Sequence, residues 1–167
     1  MKKVIIINGS AGVGKDTFSS ICSKYCKVMN YSSVDKVKEL AKYCGWDGNK
    51  DEKGRAFLSD LKIALTNYND LPFECMKSKV EEFNSSDYNL LFLHIREPEE
   101  IARAANEFNA VTLLIKNERV EHITSNMADA NVFDFKYDCT IANNSSLEQL
   151  DGLAKWFINQ LEKQEVT

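Results

Sequence analysis

The stretch from Val4 to Thr17 restricts the fold of this chain more than any other part of it. Val4-Ile5-Ile6-Ile7 is an unbroken apolar run, and such a run, if a strand, is buried on both faces, as in a parallel sheet. The residues that follow are Gly9, Ser10, Ala11, Gly12, Val13, Gly14, Lys15, Asp16 and Thr17. Glycines let the backbone curl so that successive N–H groups point inward at an anion. A helical pattern begins near Asp16, and a helix N-terminus adds partial positive charge at the same spot. Strand, glycine-rich turn, lysine and helix in this order make a phosphate-binding loop, Gly9 to Thr17, with Lys15 reaching the outer phosphates of a nucleoside triphosphate. ATP with Mg²⁺ is the expected ligand. A hydroxyl usually follows the lysine directly; here Asp16 holds that position and Thr17 comes next. Asp16 and Thr17 are the expected Mg²⁺ residues, directly or through water.

Further apolar runs recur after this unit. Strands are expected over 27–31, 90–95, 111–115 and 137–142, with helices over 16–27, 34–44, 51–68, 72–83, 98–108 and 147–161. Ser32 or Ser33 should cap the second helix, and Gly45 should end it. Strands alternating with helices give an α/β fold with a mainly parallel five-stranded sheet. Ligands on such sheets bind beyond the carboxyl ends of the strands. A length of 167 residues fits a single domain. Within it, residues 46–84 form a helical insertion and residues 117–134 show weak periodicity, in the manner of a mobile loop or a short helical segment.

Composition narrows the partners. With 21 basic and 25 acidic residues the net charge is −4, which gives no basic footprint for nucleic acid. No apolar run approaches the roughly 20 residues of a membrane helix, so a cytoplasmic protein is expected. Five cysteines, odd in number and without a CxxC pair, read as buried free thiols. Cys22 and Cys26 share a helix face, but no histidine lies nearby in sequence to complete a metal site.

The spacing GxxGxGKxT with the GKDT ending resembles the nucleoside monophosphate kinases, in particular phage deoxynucleoside monophosphate kinases and animal phosphomevalonate kinases. The resemblance extends weakly over most of the chain and implies a three-layer P-loop NTPase fold. Tyr31 to Lys38 stands where that family places its first substrate segment, which implies Ser33, Asp35 and Lys38 at the acceptor. Leu93 to Glu100 stands where the family carries an aspartate and an arginine. Arg96 matches the arginine, a phosphate clamp at a strand end. The aspartate is replaced by His94, which could accept a hydrogen bond from a metal-bound water or position Arg96. Asp138 to Leu150 resembles the family's closing segment, with Asn143 and Asn144 near the adenine end or serving as turn and cap. Residues 117–134 take the place of a lid; Arg119, with His122, Asp129 and Asp134 nearby, would reach the transferred group. Residues 46–84 take the place of the acceptor-binding region, where Lys50, Lys53 and Arg55 supply cations.

The resemblance thus implies an ATP-dependent kinase with catalytic Lys15, Arg96 and Arg119, acting on a (deoxy)nucleoside monophosphate. Two other readings stay open: a kinase for another small phosphorylated metabolite, and a nucleotide-binding or slowly hydrolysing module that transfers nothing. Oligomeric state is not encoded legibly.

Overall fold

The computed structural model describes residues 1–120 and 131–163. His122 and Asp129, expected in the lid-like segment, lie outside the described residues. Five strands form one sheet: β1 (Lys3–Asn8), β2 (Val28–Ser32), β3 (Leu90–His94), β4 (Val111–Lys116) and β5 (Cys139–Ala142). Their order is β2-β3-β1-β4-β5 and every pairing is parallel. The described helices are α1 (Lys15–Cys22), α2 (Asp35–Tyr43), α3 (Glu52–Asn69), α4 (Leu71–Ser85), α5 (Pro98–Phe108) and α6 (Leu147–Lys163).

β1 shows why both faces are covered. Ile5 and Ile7 pack with Phe18, Phe92, Phe157 and Leu161 on the side of α1 and α6. Val4 and Ile6 pack with Met76, Phe83, Leu93 and Ile101 on the side of α4 and α5. Alternate residues of one apolar run therefore seed two cores, and the result is a three-layer α/β architecture. β1 is central, with β3 on one side and β4 on the other. Chain leaving β1 passes to the β2 edge, so the turn after Asn8 opens at the point where strand order reverses, the usual ligand crevice.

Two local expectations are corrected. α1 ends at Cys22 instead of continuing to Lys27. The chain tightens through Lys24 N–H to Ile21 O and Tyr25 N–H to Cys22 O, both 3.0 Å, because Val28 must already be paired with Leu90. Tyr25 consequently leaves the core and donates its hydroxyl to Asp151. Neither Ser32 nor Ser33 caps α2: the residue before the helix is Val34, without a side-chain cap. Ser33 is buried, and its N–H extends the β2–β3 pairing by bonding His94 O at 3.2 Å. The Asp35 carboxylate instead accepts from Ser32 N–H at 2.8 Å. α3 buries fully only Gly54, and Tyr68 remains 86% exposed. It packs on α2 and α4 rather than on the sheet, so a helix groove covers its stripe only in part.

Gly45 does end α2, with φ of 90° and the paired bonds Gly45 N–H to Lys42 O and Trp46 N–H to Ala41 O, each 3.0 Å. The expectation of buried thiols holds for Cys22, whose pKa burial pushes up to about 12. It fails for Cys44, which is exposed beside that glycine turn. Among the described residues no helix is long and apolar enough to cross a membrane.

Candidate phosphate-binding site

Gly9 and Gly14 fix the loop. Gly9 has φ of 150°, and a Cβ there would stand 2.4 Å from the backbone oxygen of Ile115. Gly14, at φ 98°, immediately precedes α1, and a Cβ there would meet Asn143 Nδ2 at 2.5 Å. Both positions need positive φ and no side chain. Lys15 opens α1, and its ammonium bonds Gly9 O at 2.5 Å and Ser10 O at 2.9 Å, spanning the loop. Ser10 and Val13 are buried supports, Ala11 is half-buried, and Gly12 lies close to Val120. Asp16 and Thr17 are exposed at the same helix N-terminus. Carboxylate and hydroxyl oxygens there fit a hard divalent cation such as Mg²⁺.

A buried amide, not anticipated from sequence, holds the loop to its surroundings. Asn8 is 1% exposed. Its Oδ1 accepts from Gly9 N–H at 2.8 Å, and its Nδ2 donates to Tyr137 Oη at 2.7 Å and Arg96 O at 3.3 Å. Tyr137 in turn donates to Val132 O at 2.9 Å. The backbone of Arg96 is thereby tied to the entry of the loop. Asn143 and Asn144 act as braces: Asn143 Nδ2 donates to Val13 O at 2.9 Å, and Asn144 Oδ1 accepts from Glu118 N–H at 3.0 Å. The cap of α6 is Ser146, whose Oγ accepts from Gln149 N–H at 3.3 Å.

His94 ends β3 next to β1 and β2. Its Nδ1 lies 3.8 Å from Asp16 Oδ1 and its Nε2 lies 3.1 Å from Asn30 Oδ1. Burial holds the imidazole below its usual pKa, against the pull of Asp16. Asp35 and Lys38 sit on the first turn of α2, 3.6 Å apart, just past the buried Ser33. Arg96 is half-buried beyond the end of β3, and Arg119 is exposed, one residue before Val120. Arg55 is bound locally: its Nε donates to Lys50 O at 2.7 Å on the first turn of α3. Asp134 is exposed.

A second unanticipated cluster lies just beyond Arg96. Lys62 of α3 bonds Glu97 at 3.1 Å and Glu100 at 2.8 Å, fastening α3 to the start of α5. Burial raises the Glu100 carboxyl to about 7 from its ordinary 4.5, with Lys62 opposing. The folded chain therefore holds a proton there that the unfolded chain releases. The stability tied to neutral Glu100 is complete below 4.5 and disappears as pH rises through about 7. Glu100→Gln, which cannot ionise, should melt higher than the natural chain at pH 8, and the difference should shrink by pH 5. Melting scans at the two pH values check this.

A concavity of about 700 Å³ lies at the other end of the sheet, around residues 23–28 and 87–89. It is shallow and carries the surface pair Lys27–Asp87. The glycine-rich loop, Lys15 and the carboxyl ends of the strands lie at the opposite edge.

Solved structures share this architecture. Shikimate kinase from Aquifex aeolicus is 17% identical over 98% of both chains, with a TM-score of 0.55. A tunicamycin resistance protein from Deinococcus radiodurans is 10% identical over 96% of both, at 0.58. A putative kinase from Chloroflexus aurantiacus is 12% identical over 97% of both, at 0.52. What the chain shares with them is the fold, a mostly parallel five-stranded sheet with helices on both faces. No protein-family model matches the chain, and no curated protein matches its sequence.

Proposed function

We propose that this chain is an ATP-dependent kinase that transfers the γ-phosphoryl group to a small-molecule acceptor, a (deoxy)nucleoside monophosphate. The observation that carries this reading is the loop itself: positive-φ glycines, Lys15 spanning the mouth, and Arg96 tied to its entry through Asn8. Loop amides and Lys15 hold the β- and γ-phosphates. Arg96 and Arg119 steady the group in transfer. Ser33, Asp35 and Lys38 line the acceptor side, and Arg55 meets the acceptor's own phosphate when residues 46–84 close on it. Residues 117–134 act as the lid that excludes water. Mg²⁺, held by Asp16 and Thr17, supplies neutralisation of phosphate charge when bound.

A monophosphate acceptor already carries an anionic oxygen, so no general base is needed. Alignment of the two phosphates and charge neutralisation supply most of the catalysis. The resemblance in the GKDT loop favours this acceptor class. His94 at the family's aspartate position favours the second reading, a nucleotide-binding module that transfers nothing.

The test is ADP release from ATP and Mg²⁺ with a panel of common nucleoside and deoxynucleoside monophosphates, phosphomevalonate and other small phosphorylated metabolites. Stimulation by one monophosphate is the expected result. Stimulation by phosphomevalonate or another metabolite alone would move the acceptor class. ATP binding with no stimulation by any acceptor would favour the second reading.

A further inference from the structure

Asn30 lies within β2, opposite Phe92, with its side chain outside the core. Its Oδ1 is 3.1 Å from His94 Nε2, inside hydrogen-bond range. An amide oxygen only accepts, so with Oδ1 facing the ring this contact favours the tautomer that carries its proton on Nε2. Nδ1 keeps its lone pair and faces Asp16 Oδ1 at 3.8 Å. That separation is too long for a direct bond, and two acceptors cannot bond each other. Facing acceptors of this kind are satisfied together by donors placed between or beside them. Asp16 directly follows Lys15 and is almost fully exposed, so donors can reach it from solvent beside the loop. A Mg²⁺ ion accompanying a triphosphate retains several waters, each with two O–H donors.

We propose that Asn30 is a positioning residue: it fixes His94 in the Nε2–H tautomer, so that Nδ1 and the Asp16 carboxylate together accept hydrogen bonds from Mg²⁺-bound water. This rests on the phosphate-loop reading given under Proposed function. It adds two residues to the metal side of the site, one of them on the strand farthest from β5. With the opposite tautomer, an N–H would point at the cation's hydration shell and repel it.

Two measurements test it. Long-range ¹H–¹⁵N spectra of histidine-labelled protein, taken without nucleotide, report which nitrogen of His94 carries the proton. The expected signature is a protonated Nε2 in the natural chain and a mixture of tautomers in Asn30→Leu. Calorimetry with a non-hydrolysable ATP analogue, in EDTA and in Mg²⁺, gives the factor by which metal tightens binding. That factor should fall about fivefold in Asn30→Leu and in His94→Gln, the loss of roughly one hydrogen bond. His94→Asn, whose Oδ1 can occupy the place of Nδ1, should restore most of it. Because the factor is a ratio within each variant, general loosening of the site cancels. A proton on Nδ1 in the natural chain, or an unchanged Mg²⁺ factor in Asn30→Leu, overturns the proposal. A natural chain that binds the analogue neither with nor without Mg²⁺ overturns the phosphate-loop reading and this inference with it, a result distinct from binding that Mg²⁺ tightens equally in every variant.

Discussion

Lys15→Ala should lower phosphoryl transfer by ~10³-fold or more, the scale on which a cation contacting the transferred group acts, while leaving the chain folded. Lys15 is the first residue of α1 and its aliphatic stem is only half-buried. Alanine is the best helix former, so the helix start is not weakened. The bonds lost to Gly9 O and Ser10 O are part-buried, so the two carbonyls lose a partner that water replaces only in part. Unfolding free energy should therefore fall by about 1–3 kcal/mol, which lowers the denaturant midpoint without unfolding the chain. What is removed is the one full positive charge that the loop's own residues bring. Steady-state assays on the acceptor found by the panel, with a denaturant titration alongside, separate the two effects. A variant that keeps full transfer contradicts the assignment, and one that unfolds shows that Lys15 holds the loop together.

Gly9→Ala should act through the fold instead. The new Cβ would stand 2.4 Å from the Ile115 carbonyl oxygen and 2.8 Å from Val13 Cγ2. The first neighbour is backbone of β4, locked into the sheet beside β1 and β5, and cannot give way cheaply. The φ of 150° adds backbone strain for any residue with a side chain. Overpacking and strain together should destabilise by about 2–4 kcal/mol. The strand that carries the loop would be pushed away from β4, so nucleotide binding should be lost as well. Denaturant midpoints and calorimetry with ATP check both halves. The contrast with Lys15→Ala is diagnostic: one variant loses mainly a charge, the other mainly the packing of the sheet.

Much of the architecture was legible because its signals are local. The apolar run of β1, the glycines after it and the lysine are contiguous, and the order strand, turn, helix admits few folds. Pro98 and Gly45 marked a helix start and a helix end for reasons confined to a few residues. The faults came where the deciding partner is distant. α1 stops early because β2 must meet β3, a demand made by Leu90 on Val28. The apolar stripe of α3 is covered only in part: periodicity reports a face, not whether a sheet or only two helices will cover it. Within the candidate site, Gly9 to Thr17 were read from sequence as a phosphate loop, whereas the contacts of Asn8, Asn30, Tyr137 and Lys62 were not anticipated. Asn8 meets Tyr137 across 129 positions, and His94 meets Asn30 across 64. Such pairs arise from strand order, and no spacing rule announces them. His94 was visible only as a departure from a resembled motif; the partner that orients it emerges from β2 lying beside β3.

The fate of the γ-phosphoryl group tests the central claim most directly. ATP labelled at the γ position, incubated with Mg²⁺, the chain and the monophosphate panel, should deliver its label to one organic acceptor, with far less appearing as inorganic phosphate. Label recovered only in inorganic phosphate at the same rate with and without every acceptor, or retained entirely in ATP that the chain has bound, would contradict a kinase.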